Sequence, residues 1–546
     1  MTNTTLRCGP RATPAKSAMK MLSCTLVAMA AVAANADALV PAAREFVAGE
    51  GCLSVTSKVS YSRIDWYDFD RVGQCLAEVK KTVVRDKSLP TEGYRLHVGT
   101  DSIEIASADD AGEFYAYQTL RQLVTPTSDS SIAIPRCTVR DWPAFRWRGM
   151  LIDEARHFFG KETVMKILDE MAMHKLNILH WHLVDDQGWR VEIKRHPELV
   201  EYGSVRPRSV RFGAHASWKP PSHKMEYELN NDRYGPFFYS QYDVREIVAY
   251  AKARHITVVP EIELPGHVRA LLAAHPEFIC DGATHGREPA VAWSVQKEVL
   301  CVGNDDAVRF LEDVLDEVCE LFPDAPFIHI GGDECPRDNW KKCRKCQARM
   351  ASEGMADESG LQAWITARMV RFIEKKGRRA VGWDEILAGD VPKSAVGMVW
   401  RSSSKGGAGT EYVSAAEAVG RGHDMVMTPN KYCYLNCMQG IEHDPYPYYS
   451  VWDSSPVITL EKAYSFDPCA GIPAEHRNHI LGGQACVWGE STFNIFDFEW
   501  KAWPRGCAIA EVLWLGDARP GFANFLERMK KHRIRLLDAH INSAPL

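Results

Sequence analysis

The chain has 546 residues, of which 46% are hydrophobic and 25% charged, a globular composition that excludes disordered, collagenous and polytopic membrane proteins. Lys and Arg number 65 against 71 Asp and Glu, and the formal net charge of −6 argues against a nucleic-acid partner. The 16 Trp and 18 Tyr supply large flat side chains of the kind that stack on sugar rings, although most Trp in any protein is core.

Residues 1–20 are polar and basic, and residues 21–36 (MLSCTLVAMAAVAANA) form an apolar run with small residues at Ala34, Ala36 and Ala38. This pattern predicts a secretory signal peptide over residues 1–38, and therefore export to the periplasm or beyond. The run falls short of the roughly 20 apolar residues that a membrane span needs, and no later segment reaches that length. Cleavage after Ala38 removes Cys8 and Cys24 and leaves an even number of cysteines in an oxidising compartment, where disulfides are expected.

Residues 94–124 alternate in polarity through two short strands around a turn at 99–102 and then become helical, so residues 39–142 read as a small α+β unit. Arg140-Asp141-Trp142-Pro143 marks its boundary. Beyond it, over residues 143–546, short apolar strands alternate with helices: 150–153, 177–184, 256–263, 326–332, 379–384, 396–401, 424–429 and 480–488. Val164, Ile167, Leu168 and Met171 make one helical stripe, and Val308, Leu311, Leu315 and Val318 another. Asp243 with Glu246 predicts a capping box that opens the helix before Arg254. Eight strands separated by helices, with no Gly-rich phosphate fingerprint after an early strand, predict an α/β fold of the (β/α)₈ TIM-barrel type rather than a doubly wound sheet. Residues 202–242 are too long for an ordinary connection and read as a rim loop.

Two cysteine patterns stand out on the way. Cys280 and Cys301 flank one loop and are the best disulfide pair. Cys335, Cys343 and Cys346 (CPRDNWKKCRKC) have zinc-like spacing but no fourth ligand nearby, so disulfide or free thiol is the leading expectation there.

Chemistry in a barrel sits at the carboxyl ends of the strands. Those ends carry Arg156, Asp185-Asp186, Glu263 with His267, Asp333-Glu334, Trp383-Asp384, Trp400, Tyr434 with Asn436, and Trp488 with Glu490. Carboxylates with aromatic walls and no nucleophilic Ser or Cys motif point to acid/base chemistry on a carbohydrate. Adjacent strand residues diverge, so Asp333 and Glu334 do not fit an ordinary retaining pair about 5 Å apart across one sugar ring. The nucleophile must come from elsewhere.

RGMLIDEARHF (148–158), KLNILHWHLVDDQGWR (175–190), PEIELPGH (260–267), HIGGDE (329–334), GWDE (382–385), YLN (434–436) and GGQACVWGE (482–490) resemble, in order, the motifs of glycoside hydrolase family 20, the β-N-acetylhexosaminidases. The first unit is similar to that family's accessory domain, so the resemblance covers nearly the whole mature chain. It implies an exo-acting, retaining, substrate-assisted hydrolase of terminal N-acetylhexosamine, in which the sugar's own 2-acetamido oxygen attacks C1 and forms an oxazolinium. In that scheme Glu334 is the acid and then the base, and Asp333 orients the acetamido group. Tyr434 bonds the attacking oxygen, Trp383, Trp400 and Trp488 wall the pocket, and Arg156, Asp185 and Glu490 grip the hydroxyls. His267 supports the acid. No cofactor and no metal is called for. The family's commonest pattern has Tyr-Leu-Asp where this chain has Tyr434-Leu435-Asn436, and loss of that acid predicts tolerance of a 6-sulfate.

Two rival readings follow from the same residues. His180 and His182 on one strand face, with Asp333, would make a metal-dependent hydrolase. A sugar-binding protein would keep the tryptophans without catalysis, but it would have little use for Asp333 and Glu334 together.

Overall fold

The computed structural model describes residues 38–56, 76, 79–128, 131–210, 229–230, 232–283, 287–401, 412–440 and 457–546; the signal peptide predicted over 1–38 lies almost wholly outside them, as does most of the rim loop's 211–231 stretch. The chain divides into two compact units, Met1–Trp142 and Pro143–Leu546.

In the first unit, Glu45–Thr56, Ser131–Asp141, Tyr94–Val98, Ser102–Ser107 and Lys80–Arg85 lie side by side in that order, with Thr125–Ser128 added to Ser131–Asp141. The strand Tyr94–Val98 is buried at every second residue, the mark of a sheet covered on one face only. Helix Asp110–Leu123 buries Tyr115, Ala116, Leu120 and Leu123. Asp109 fixes its start, one oxygen accepting the Gly112 N–H at 2.8 Å and the other the Glu92 N–H at 2.8 Å.

In the second unit, eight parallel strands close into a barrel: Trp147–Asp153, Ile178–His182, Thr257–Glu261, Phe327–His329, Arg379–Trp383, Val396–Val399, Met425–Met427 and Ile480–Val487. Each falls on a predicted strand, because a strand buried on both faces reads as an unbroken apolar run. Seven of them contribute to one apolar cluster, which includes Leu151, Ile178, Val259, Val381, Met398, Val426 and Cys486, and the fourth packs Phe327 against it. The predicted stripes face inward: Val164, Ile167, Leu168 and Met171 are buried on helix Lys161–Met173, and Val308, Leu311, Leu315 and Val318 on helix Asp305–Leu321.

The capping box differs from expectation. Helix Gln241–Lys252 starts three residues earlier than predicted, with Ser240 as the cap. Asp243 N–H donates to Ser240 Oγ at 3.2 Å and Ser240 N–H to Asp243 Oδ2 at 3.1 Å, so Asp243 closes the box rather than opening it. Glu246 instead accepts from Lys161 Nζ at 2.7 Å. Among the described residues no helix is long and apolar enough to cross a membrane.

Candidate active site

Inside the barrel the second, third and fourth strands bring polar side chains to one level. Glu261 stands in register with His182 on one side and His329 on the other. Its side chain is fully buried and collects four partners: His180 Nε2 at 2.9 Å, His182 Nδ1, His329 Nδ1 at 2.8 Å and the Trp383 indole N–H at 3.0 Å. Burial alone would protonate such a carboxyl, yet His329, His182 and His180 hold it well below the ordinary carboxylate range.

The two histidines of the HWH strand then take different states. His180 Nδ1 accepts from Gln484 Nε2 at 2.8 Å, and burial together with His329 lowers this imidazole to about 4, so it is neutral. His182 donates from both nitrogens, to Glu261 and to Asp185 Oδ2 at 3.0 Å. Burial opposes its charge, but Glu261 and Asp185 raise it to about 10. The imidazoles therefore converge on Glu261 rather than on Asp333, the third group of the rival metal reading.

From Asp185 the network runs outward. Asp185 Oδ2 is 2.8 Å from Arg156 Nη2, and its Oδ1 lies 3.4 Å from His267 Nδ1. Asp186 Oδ2 is 3.0 Å from the same Nδ1. The other imidazole nitrogen, Nε2, faces Asp333 Oδ2 at 3.7 Å and Glu334 Oε2 at 3.8 Å. Burial disfavours charge on His267, but Asp185 and Asp333 hold it well above its ordinary range, as a cation. Burial pushes the Glu334 carboxyl up to about 7, against the pull of His267 and with help from Asp333. Burial also raises Asp333.

Two acidic neighbours in sequence can share this small space because the backbone turns sharply between strand and loop. Gly331 and Gly332 have φ of 61° and 99°, and Glu334 itself sits at φ 47°, a conformation rare for a residue with a side chain. A Cβ at Gly331 would overlap the carboxylate of Glu263, so the close packing also requires glycine there. His267 has φ 50° as well, following Leu264-Pro265-Gly266. Both ends of the His267–Glu334 contact are thus held on constrained backbone.

One cavity is lined by Arg156, Asp185, Glu263, His267, Asp333, Glu334, Trp400, Tyr434, Asn436, Trp488 and Glu490. Ten of the eleven predicted site residues meet there. Trp400 and Tyr434 lie nearly parallel at 13° with ring centroids 6.3 Å apart, and Trp488 is 5.9 Å from Tyr434. The Trp400 indole N–H is fixed by Glu385 Oε2 at 3.1 Å. Asp333 Oδ1 and Asn436 Oδ1 are buried with no hydrogen-bond partner, which in a packed interior marks atoms awaiting one.

Two roles drawn from the resemblance change. Trp383 does not line this cavity; its indole is held beneath by Glu261, and its ring packs on Trp488 at 5.6 Å. Asp185 reaches the cavity wall, but Arg156, His182 and His267 take up its oxygens, so it positions those groups instead of gripping a hydroxyl. Conversely, Glu261 and Glu385 were not singled out from the sequence, and only their place inside PEIELPGH and GWDE pointed to them; Glu263, noted beside His267 at a strand end but given no role, lines the cavity. Arg156 is further braced by Asp153 Oδ2 at 2.9 Å and Gln187 Oε1 at 2.9 Å.

The profile described as glycosyl hydrolase family 20, catalytic domain, matches residues 145–517, and that for domain 2 of the same family matches residues 22–142. A curated β-hexosaminidase of Porphyromonas gingivalis is 38% identical over 470 residues, covering 83% of this chain and 55% of that protein. One from Vibrio furnissii is 36% identical over 437 residues, covering 78% of this chain and 66% of that protein. The chain thus spans about half to two thirds of the length of these two relatives. Among solved structures, an exo β-N-acetylglucosaminidase from Vibrio harveyi in complex with N-acetylglucosamine superposes with a TM-score of 0.78 at 29% identity, over 93% of this chain and 78% of that one. With both units matched and the barrel's strand-end residues gathered as described, this chain belongs to glycoside hydrolase family 20.

Proposed function

We propose that this chain is an exo-acting β-N-acetylhexosaminidase that releases terminal β-linked GlcNAc or GalNAc from glycans with retention, the substrate's acetamido group serving as nucleophile. One observation carries the reading: Glu334 is held up at about 7, beside Asp333, which lines the same cavity and whose Oδ1 has no hydrogen-bond partner. A carboxyl protonated near neutrality is a general acid, and the carboxylate next to it is placed for developing positive charge rather than for attack on carbon. The relatives' names and the N-acetylglucosamine complex of the Vibrio harveyi neighbour support the same substrate class.

In the first step the acetamido oxygen attacks C1 as the glycosidic C1–O bond breaks, and the Glu334 proton goes to the departing oxygen. Asp333 accepts the acetamido N–H and balances the charge of the oxazolinium. The Tyr434 hydroxyl, kept protonated by burial, donates to the attacking oxygen. In the second step Glu334, now a carboxylate, takes a proton from water as that water opens the ring at C1 from the face the aglycone left. Two displacements restore the β configuration. Arg156, Asn436 and Glu490 face the hydroxyls, and Trp400 and Trp488 flank the acetamido group and ring. Export through the signal peptide of residues 1–38 belongs to the same proposal; it rests on the short apolar run and the small residues before Leu39.

An aryl β-N-acetylglucosaminide should turn over with the β-anomer appearing first by NMR, while the matching glucoside, lacking the acetamido group, should not. Equal turnover of both would exclude the substrate-assisted route. Glu334→Gln should lower kcat by roughly 10² to 10⁴, with a smaller loss on substrates whose leaving group needs no proton.

The pH profile has a definite sign. Glu334 must be protonated in the first step, so kcat/KM for a poor leaving group should hold below and fall as pH rises through about 7. Asp333 must be ionised, so the acid limb should lie above the ordinary aspartate range. His267→Asn removes the cation that lowers both groups and should move both limbs to higher pH; limbs that stay in place would remove His267 from the relay.

The Asn436 amide carries no charge to repel a 6-sulfate, so Asn436→Asp should reduce kcat/KM for the 6-sulfated aryl substrate more than for the plain one. An unchanged ratio would show that this position does not set sulfate tolerance. Amino-terminal sequencing of the exported protein should begin at Leu39; retention of the first 38 residues would overturn the export reading.

A further inference from the structure

Four buried cysteines that the chemistry above does not use converge on one point. Cys280 and Cys301 close a loop beyond the third barrel strand, and Cys343 and Cys346 flank the first turn of helix Arg344–Glu353. Their sulfurs lie within 4.8 Å of one another. The closest approaches are 3.6 Å for Cys301 to Cys343, 3.7 Å for Cys301 to Cys346 and 3.8 Å for Cys280 to Cys346. Two sulfurs on one tetrahedral zinc, each about 2.3 Å from the metal, stand about 3.8 Å apart. A disulfide needs about 2.05 Å. The separations are those of ligands around a shared centre.

We propose that Cys280, Cys301, Cys343 and Cys346 hold one structural zinc ion. Four thiolates leave no open coordination position, which separates this site from a catalytic one. The surroundings are built for it. Gly303 lies so close to Lys345 and Cys346 that any Cβ would collide with their backbone, which seats the 301–303 loop directly against the two cysteines of the helix. Lys341 and Lys342 precede Cys343, and Arg344 and Lys345 separate it from Cys346, a run of cations that offsets the negative charge a tetrathiolate zinc centre retains.

The assignment replaces both expectations from sequence. Cys280 and Cys301 are not partners of each other alone but two corners of a tetrahedron. Cys335 is not a ligand; it stays buried behind Glu334, its thiol pushed up to about 12 by burial. Two of the four ligands come from another loop, brought over by tertiary hydrogen bonds: Cys301 N–H to the Phe278 carbonyl at 2.8 Å and the Trp340 indole to the Leu300 carbonyl at 2.9 Å. Leu300 N–H in turn reaches the Pro265 carbonyl at 3.0 Å, two residues before His267. The metal thus clips together the two segments that carry His267 and Glu334, and acts as a staple beneath the site.

Native mass spectrometry and elemental analysis of the purified full chain should find one zinc per chain, and the denatured, unreduced mass should show all four thiols intact. Cobalt(II) exchanged for zinc should give the visible and near-ultraviolet bands of a tetrahedral thiolate centre. Cys343→Ser with Cys346→Ser should abolish zinc retention, whereas Cys469→Ser should keep it. If the double variant does not fold, the wild-type chain still decides: a mass short of the hydrogens of two disulfides, or four freely alkylated thiols without metal, overturns the proposal. These readouts do not depend on turnover, so they stand or fall separately from the proposed function.

Discussion

A single buried carboxylate organises the inner end of the site. Glu261 meets three imidazoles and an indole in a space without solvent, and an ionised acid survives there only because its partners are close and well aimed. Each partner is thereby fixed in orientation. Gln484 donates to His180 Nδ1, which leaves Nε2–H for Glu261; His182, with an acid on each side, carries two protons and passes the constraint to Asp185. Trp383 cannot rotate, and through its ring it supports Trp488.

Outward from Asp185 the same physics is used for another end. Charges alternate from Arg156 and His182 through Asp185 to His267, and the chain stops at two carboxyls that are less well compensated. Desolvation then wins at Glu334 and loses at Asp185, so that of two acids in one cavity one is lifted to about 7 and the other is held below the ordinary carboxylate range. Such separation of otherwise similar groups is the general means by which one site holds both an acid and a base. Geometry alone would not accomplish it. The left-handed turns at His267 and Glu334 bring the groups within about 4 Å, and burial sets their charge.

Much of this was legible in the residues. The barrel strands are continuous apolar runs with polar ends, a pattern that few other structures leave, and the seven motifs carried nearly all the cavity-lining groups. Depth was not legible. Trp383 and Trp400 end consecutive strands with equal claim to a cavity wall, and only the position of Glu261 draws the first one down. Asp185 looked like a hydroxyl ligand because nothing in a linear motif says that Arg156, His182 and His267 will occupy it. Glu261 itself was hidden inside PEIE, where its significance depends on strand register: it is level with His182 and His329 across two different neighbours. The capping box moved by three residues because Ser240 offers as good an oxygen as Asp243, and a pattern search with two acceptable caps has no local way to choose.

The shared carboxylate has a further consequence, for how such a sequence can drift. Because four groups depend on Glu261, replacing any one of them strands the others, and the effects of paired changes depart far from their sum. Mutation reaches the network one residue at a time, and each single step leads downhill even where a concerted change would be neutral. The inner layer is therefore trapped by epistasis. Change is left to side chains that answer to fewer neighbours, such as Asn436 at the cavity wall.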